Sequence, residues 1–182
     1  MTEMRAEDLR GDPSSGRPER GDLLREAAAM VLYVSVIEIA ELAALPERHL
    51  SDGSVTGPVG AQLLAIVWGT AVGLALAHWF AFGLAAHALR GEMPTRYDVH
   101  VGLVQVAAAA LVAAITSLPV LFLSDLRAQQ TTGEVPAVIV GVISYAVARA
   151  AGRSRRTALC LSVAAPALGV AVALVKSKLA AH

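Results

Sequence analysis

The sequence predicts an all-α, polytopic membrane bundle of about five transmembrane helices with a cytoplasmic N-terminus. Three observations carry this. Of 182 residues, 55% are apolar, which is material for about five spans of about 20 residues. Only 16% are charged, against about 25% in an average soluble domain. The stretches 101–123, 136–148 and 157–175 are apolar on every side, whereas a helix of a soluble bundle shows one polar face.

Residues 1–22 read as a flexible polar cytoplasmic tail, with turn formers from Gly11 to Gly16. They lack the apolar core and small-residue cleavage site of a signal peptide. Residues 23–178 read as one transmembrane domain. The first span covers about 26–45 and stops at Pro46, which lacks an N–H. A loop with a turn at Asp52-Gly53 leads to Pro58, a good first-turn residue.

The second span, about 59–89, makes roughly 45 Å of helix for a hydrocarbon core of about 30 Å. It therefore tilts or projects beyond the bilayer. Asp98 is read as the cap of the third span, 99–123, which Pro119 bends near its end. The polar stretch 124–135 reads as a loop. Pro136 then opens a short fourth span, 136–151, that ends at the basic run Arg153 to Arg156. The fifth span is 157–175. Lys176 and Lys178 follow it and can snorkel to headgroups.

Orientation follows from the basic residues. Alternate segments hold 11 on one side and four on the other, with the N-terminal tail on the richer side. This predicts a multi-pass protein of the plasma (inner) membrane, its N-terminus inside and its C-terminus outside. Were spans four and five one re-entrant hairpin, the C-terminus would lie inside. Arg149 and the Arg153–Arg156 cluster fix topology, with anionic lipid binding as a second role. The Ala-rich composition and the excess of Arg over Lys, 13 to two, suit a high-GC bacterial origin.

The chain has 15 basic and 15 acidic residues, so its formal charge is zero and nothing marks a nucleic-acid partner. The cytoplasmic segments carry +2, the outer segments zero, and Glu38 with Glu41 supply −2 if both ionise. These two acids are the most informative residues. Helical periodicity places Ser35, Glu38 and Glu41 within about one third of the helix circumference, a polar stripe on an otherwise apolar helix. A charged carboxylate at the bilayer centre costs about 2.5–3.5 kcal/mol on insertion scales. A proton, a partner, water or a cation must offset that cost. Two carboxylates one turn apart resist joint ionisation, which suits proton binding. The structural alternative is a hydrogen-bonded packing residue at Glu38 and a snorkelling one at Glu41.

His78 in the second span is a candidate proton relay or metal ligand, or a plain packing residue. His87 and His100, with Glu92 and Asp98 between them, have side-chain types suited to a transition metal but no recognised spacing. Their interfacial position also explains them. Gln105, Thr116, Ser117, Ser144, Tyr145 and Ser162 either line an aqueous path or bond to their own helices. Cys160, the single cysteine, reads as a small core residue.

Small-residue rows occur at Gly69 and Gly73, at Gly141, Ser144 and Ala148, and at Gly169 and Ala173. In lipid, close backbone approach supplies contact energy. Most of these rows are expected to pack within one protomer, and Gly69/Gly73 suits a protomer–protomer contact equally well. No G-x-S-x-G, H-E-x-x-H or Walker loop is present, so neither an enzyme nor a cofactor is indicated.

The leading functional expectation is an oligomeric channel or transporter for a cation or protons. Glu38 is its central site, with Ser35 beside it, Glu41 toward the outside and His78 toward the inside. The bilayer, a cation or proton, and further copies of the chain are its partners. The alternatives are a non-catalytic accessory protein that binds a partner through small-residue faces, and an intramembrane metal-handling protein using His78, His87 or His100.

Overall fold

A computed structural model describes residues 20–45, 48–49, 55–90, 95–123 and 125–180. It has five helices: α1 (Arg20–Leu42), α2 (Ala61–Arg90), α3 (Arg96–Phe122), α4 (Asp125–Ala150) and α5 (Arg155–Ala180). Apart from them, Arg48–His49 and Val55–Thr56 form a two-residue antiparallel ladder. Three segments are long and apolar enough to cross a membrane: Ala61–Ala85, Arg96–Phe122 and Thr131–Ala150. Residues 1–19, Pro46, the Asp52-Gly53 turn and Glu92 lie outside the described residues.

Helix ends follow local chemistry. The last turn of α1 tightens, with Ala44 N–H donating to Glu41 C=O at 3.0 Å. The chain thus leaves the helix ahead of Pro46. At the start of α3, Thr95 and not Asp98 is the N-cap. Thr95 Oγ1 accepts from Asp98 N–H at 3.3 Å, and Asp98 Oδ2 accepts from Thr95 N–H at 2.8 Å. Asp98 completes a capping box from the third helical position.

The largest departure from expectation is α4, which begins at Asp125 and not at Pro136. Leu126, Arg127, Ala128, Gln129 and Gln130 are good helix formers, and their combined propensity carries the helix through the polar stretch. Pro136 is tolerated inside it. The apolar part, 20 residues long, rises about 30 Å and matches the hydrocarbon thickness.

Helix α4 closes in a Schellman motif at Gly152 (φ +74°), where Arg153 N–H donates to Ala148 C=O at 3.0 Å and Gly152 N–H to Arg149 C=O at 3.1 Å. Ser154 then caps α5 by accepting from Thr157 N–H at 3.2 Å. Four residues thus reverse the chain and make α4 and α5 a helical hairpin.

Helix α1 packs against all four other helices. Its contacts with α3 join Glu26 to Gln105 and Glu38 to Thr116, so α1 and α3 run parallel. Helix α2 is antiparallel to α3, since His78 lies level with Gln105 and Trp68 with Ser117.

The outer surface is unlike that of a soluble globule, because many large apolar side chains face outward. Phe122 (80% exposed), Phe80, Val163 and Leu168 face outward, while Ser35, Gln105, Thr116, Ser117 and Thr132 are buried. The core between α1, α2 and α3 is rich in alanine and valine, including Val34, Ala71, Ala75, Ala109 and Ala113. Such a core lets backbones approach closely, the main source of helix–helix attraction in lipid.

Candidate functional site

The stripe predicted on α1 points into the bundle. Ser35 is fully buried and Glu38 is 1% exposed. Thr116 on α3 donates from Oγ1 to Glu38 Oε2 at 2.9 Å. Glu38 Oε1 and Ser35 Oγ, both buried, have no hydrogen-bond partner among the described residues. One turn further on, half-buried Glu41 accepts from the Thr70 hydroxyl of α2. Three helices thus meet around two carboxylates, with acceptor capacity left over at Glu38. A buried carboxylate oxygen without a donor is costly, and a proton or cation relieves that cost.

About 18 Å back along α1 lies a second polar cluster. Gln105 Nε2 donates to Glu26 Oε2 at 3.3 Å and lies 3.4 Å from His78 Nε2. A cavity of about 360 Å³ opens beside them, lined by Glu26, Ala29, Met30, Tyr33, His78 and Gln105. His78 and Glu41 therefore stand at opposite ends of α1 relative to Glu38. The sequence reading missed Glu26, treating it as the edge of the first span. The signal was the spacing of Glu26, Met30 and Tyr33, which puts the three on one face of α1.

The remaining polar residues divide. Ser117 Oγ donates to Ala113 C=O at 2.7 Å and accepts from Trp68 Nε1 at 3.1 Å. Ser162 Oγ donates to its own helix, at Leu159 C=O. Thr132 is buried in α4, and its hydroxyl has no partner among the described residues. His87 is exposed, and exposed His100 pairs through Nδ1 with Arg96 C=O at 2.7 Å. Among the described residues no three His, Cys, Asp or Glu side chains gather as metal ligands.

Gly69 and Gly73 were expected to pack within the protomer or, equally well, between protomers; among the described residues nothing packs against either. No described atom lies within 4 Å of a Cβ built on either. Helix α2 meets its neighbours through Leu63, Val67, Ala71 and Ala75. Gly69 and Gly73 sit two positions from those residues, which in a helix of 3.6 residues per turn is the opposite side. Cys160 is exposed and not a core residue, for the same reason: Ala158, two positions earlier, takes the inward face of α5.

By contrast, Gly141 packs closely against Ser162 C=O and Gly169 against Ile39. Gly102, which the sequence reading did not single out, lies under Trp79. A Cβ there would stand 2.8 Å from the indole Nε1.

Fold and site together define a class: an all-helical chain, with three segments apolar enough to cross a membrane, that turns its polar side chains inward onto a central acidic helix. These features fit a membrane protein. Comparisons with protein families, curated proteins and solved structures find no match for this chain.

Proposed function

We propose that the protein is a small channel or transporter that moves protons or a cation across the membrane, with Glu38 as the ion site. The observation that carries this reading is the Glu38 carboxylate. It is held at one oxygen by Thr116, has spare acceptor capacity at the other, and has the unpartnered Ser35 hydroxyl one turn away. A proton added at Oε1 neutralises the group. A cation there replaces part of its hydration shell with carboxylate and hydroxyl oxygens. Glu41 with Thr70 forms the approach on one side, and His78 with Gln105 the approach on the other.

In this reading the chain crosses the plasma membrane five times, with its N-terminal tail in the cytoplasm, as the basic residues favour. The ion site lies within each protomer, because α1 is central to its own bundle. Assembly as a homo-oligomer belongs to the same proposal. The outward Gly69/Gly73 face of α2 supports it, and it equally supports the second reading, an accessory protein that docks a partner helix there.

Flux in proteoliposomes decides the matter. Ion-dependent flux that is lost in Glu38→Gln is the expected result. Absence of flux in the wild type, or flux unchanged by Glu38→Gln, overturns the assignment.

A further inference from the structure

We infer that the cavity between α1, α2 and α3 binds an organic ammonium ion with an apolar body. Its role as a transported substrate rests on the transport reading above; the binding itself does not. The cavity measures about 360 Å³, within the range of small-molecule sites, and pairs an apolar wall with a few converging polar groups.

Hydrogen-bond bookkeeping selects the ligand. Gln105 has two amide hydrogens, one directed to Glu26 and the other to His78 Nε2. With those hydrogens committed, the remaining lone pairs of Glu26 and the carbonyl oxygen of Gln105 are acceptors at the polar end, beside the Tyr33 hydroxyl and His78 Nδ1–H, which can donate. A ligand that donates fits the Glu26–Gln105 end of the cavity. Charge points the same way, because Glu26 is the only acidic or strongly basic side chain among the described lining residues. Its ion-pair partner is Arg25, 3.9 Å away and with a side chain 76% exposed, so that pairing is weak. A bound ammonium shares the carboxylate with the Gln105 amide and displaces a solvated guanidinium.

The apolar wall suits the rest of the molecule. Ala29 leaves room, Met30 supplies a polarisable thioether, and Tyr33 offers an aromatic face for a cation or an apolar ring. Tyr33 and His78 are exposed, so the cavity is open at their side. Such a ligand is either a free amphiphilic amine or the ammonium headgroup of a lipid.

The test uses isothermal titration calorimetry on the full chain in phosphatidylglycerol nanodiscs, whose lipid carries no ammonium group, with the heat of empty nanodiscs subtracted. The probes are 2-phenylethylammonium and its neutral analogue 2-phenylethanol. At least tenfold tighter binding of the amine is expected, with the preference abolished by Glu26→Gln. Ala29→Trp fills the cavity without changing charge and is expected to abolish binding, which guards against misfolding of the Glu26 variant. Equal binding of the two probes, or amine binding untouched by both substitutions, overturns the inference.

Adding phosphatidylethanolamine to the nanodiscs separates the sources: competition identifies a lipid headgroup, and its absence a free amine. Glu38→Gln is expected to keep the amine preference. Amine binding without ion flux would leave this inference standing and remove the transport reading. Ion flux without amine preference would do the reverse.

Discussion

Thr116 and Glu38 are 78 residues apart in the chain and 2.9 Å apart in space, joined by a hydrogen bond buried between α3 and α1. The bond fixes one carboxylate oxygen and leaves the other uncommitted. Thr116→Val keeps the side-chain shape and removes the donor. A buried acceptor left without its donor costs about 1–3 kcal/mol. The expected outcome is a lower midpoint in a denaturation series and reduced ion flux, with Thr116→Ser recovering most of both.

Substitutions at Glu38 separate stability from function. Glu38→Gln keeps the shape and still accepts from Thr116, while removing a carboxylate from the interior. Replacing a buried charged group by a neutral one of similar volume is often neutral or stabilising. The thermal midpoint is therefore expected to hold or rise while flux is lost. A large fall in stability with flux retained would show that Glu38 is purely structural.

Gly102 and Trp79 provide a packing test. Adding a methyl at Gly102 brings a carbon to 2.8 Å from a rigid indole ring. Gly102→Ala is expected to cost about 1–3 kcal/mol, the usual range for overpacking. The displaced ring should also shift tryptophan emission, and that shift should vanish in a Trp79→Phe background. Gly69→Ala, inside α2 with open space around it, is expected to stabilise the single chain by about 0.5–1 kcal/mol through helix propensity.

The turn between α4 and α5 tests local encoding. Gly152 has φ +74°, a conformation that costs an L-residue roughly 1–2 kcal/mol. Ser154→Ala removes the cap of α5, at about 1 kcal/mol. Gly152→Ala and Ser154→Ala are each expected to lower the unfolding midpoint. Hydrogen exchange should show the loosened amides at the start of α5, with α2 and α3 unaffected.

The outward face of α2 bears on assembly. Gly69→Leu with Gly73→Leu is expected to leave the helical circular dichroism unchanged, since neither position packs against any of the described residues. If the face joins copies, sedimentation in matched-density detergent will show dissociation to monomers.

Much of the fold was legible in the sequence. The apolar runs located the helices, and the basic run Arg153 to Arg156 marked the break between α4 and α5. The pattern also showed that Ser35, Glu38 and Glu41 share one side of α1. The extent of α4 was misjudged because Pro136 reads as a helix start, while the formers ahead of it had already begun the helix.

What the sequence could not determine was where each face points. In water, an apolar stripe marks the inner face of a helix. In lipid, both surroundings are apolar, so periodicity separates faces without assigning them. Tertiary packing made that assignment. It put α1 at the centre, turned Glu38 toward Thr116, and left Gly69, Gly73 and Cys160 on the outside. It also brought Glu26, Gln105 and His78 together from three helices, a contact that no local spacing encodes. Composition and periodicity fixed the helices and their acids; helix order and rotation, set by close packing of small residues, decided which acids face a partner, a cavity or the exterior.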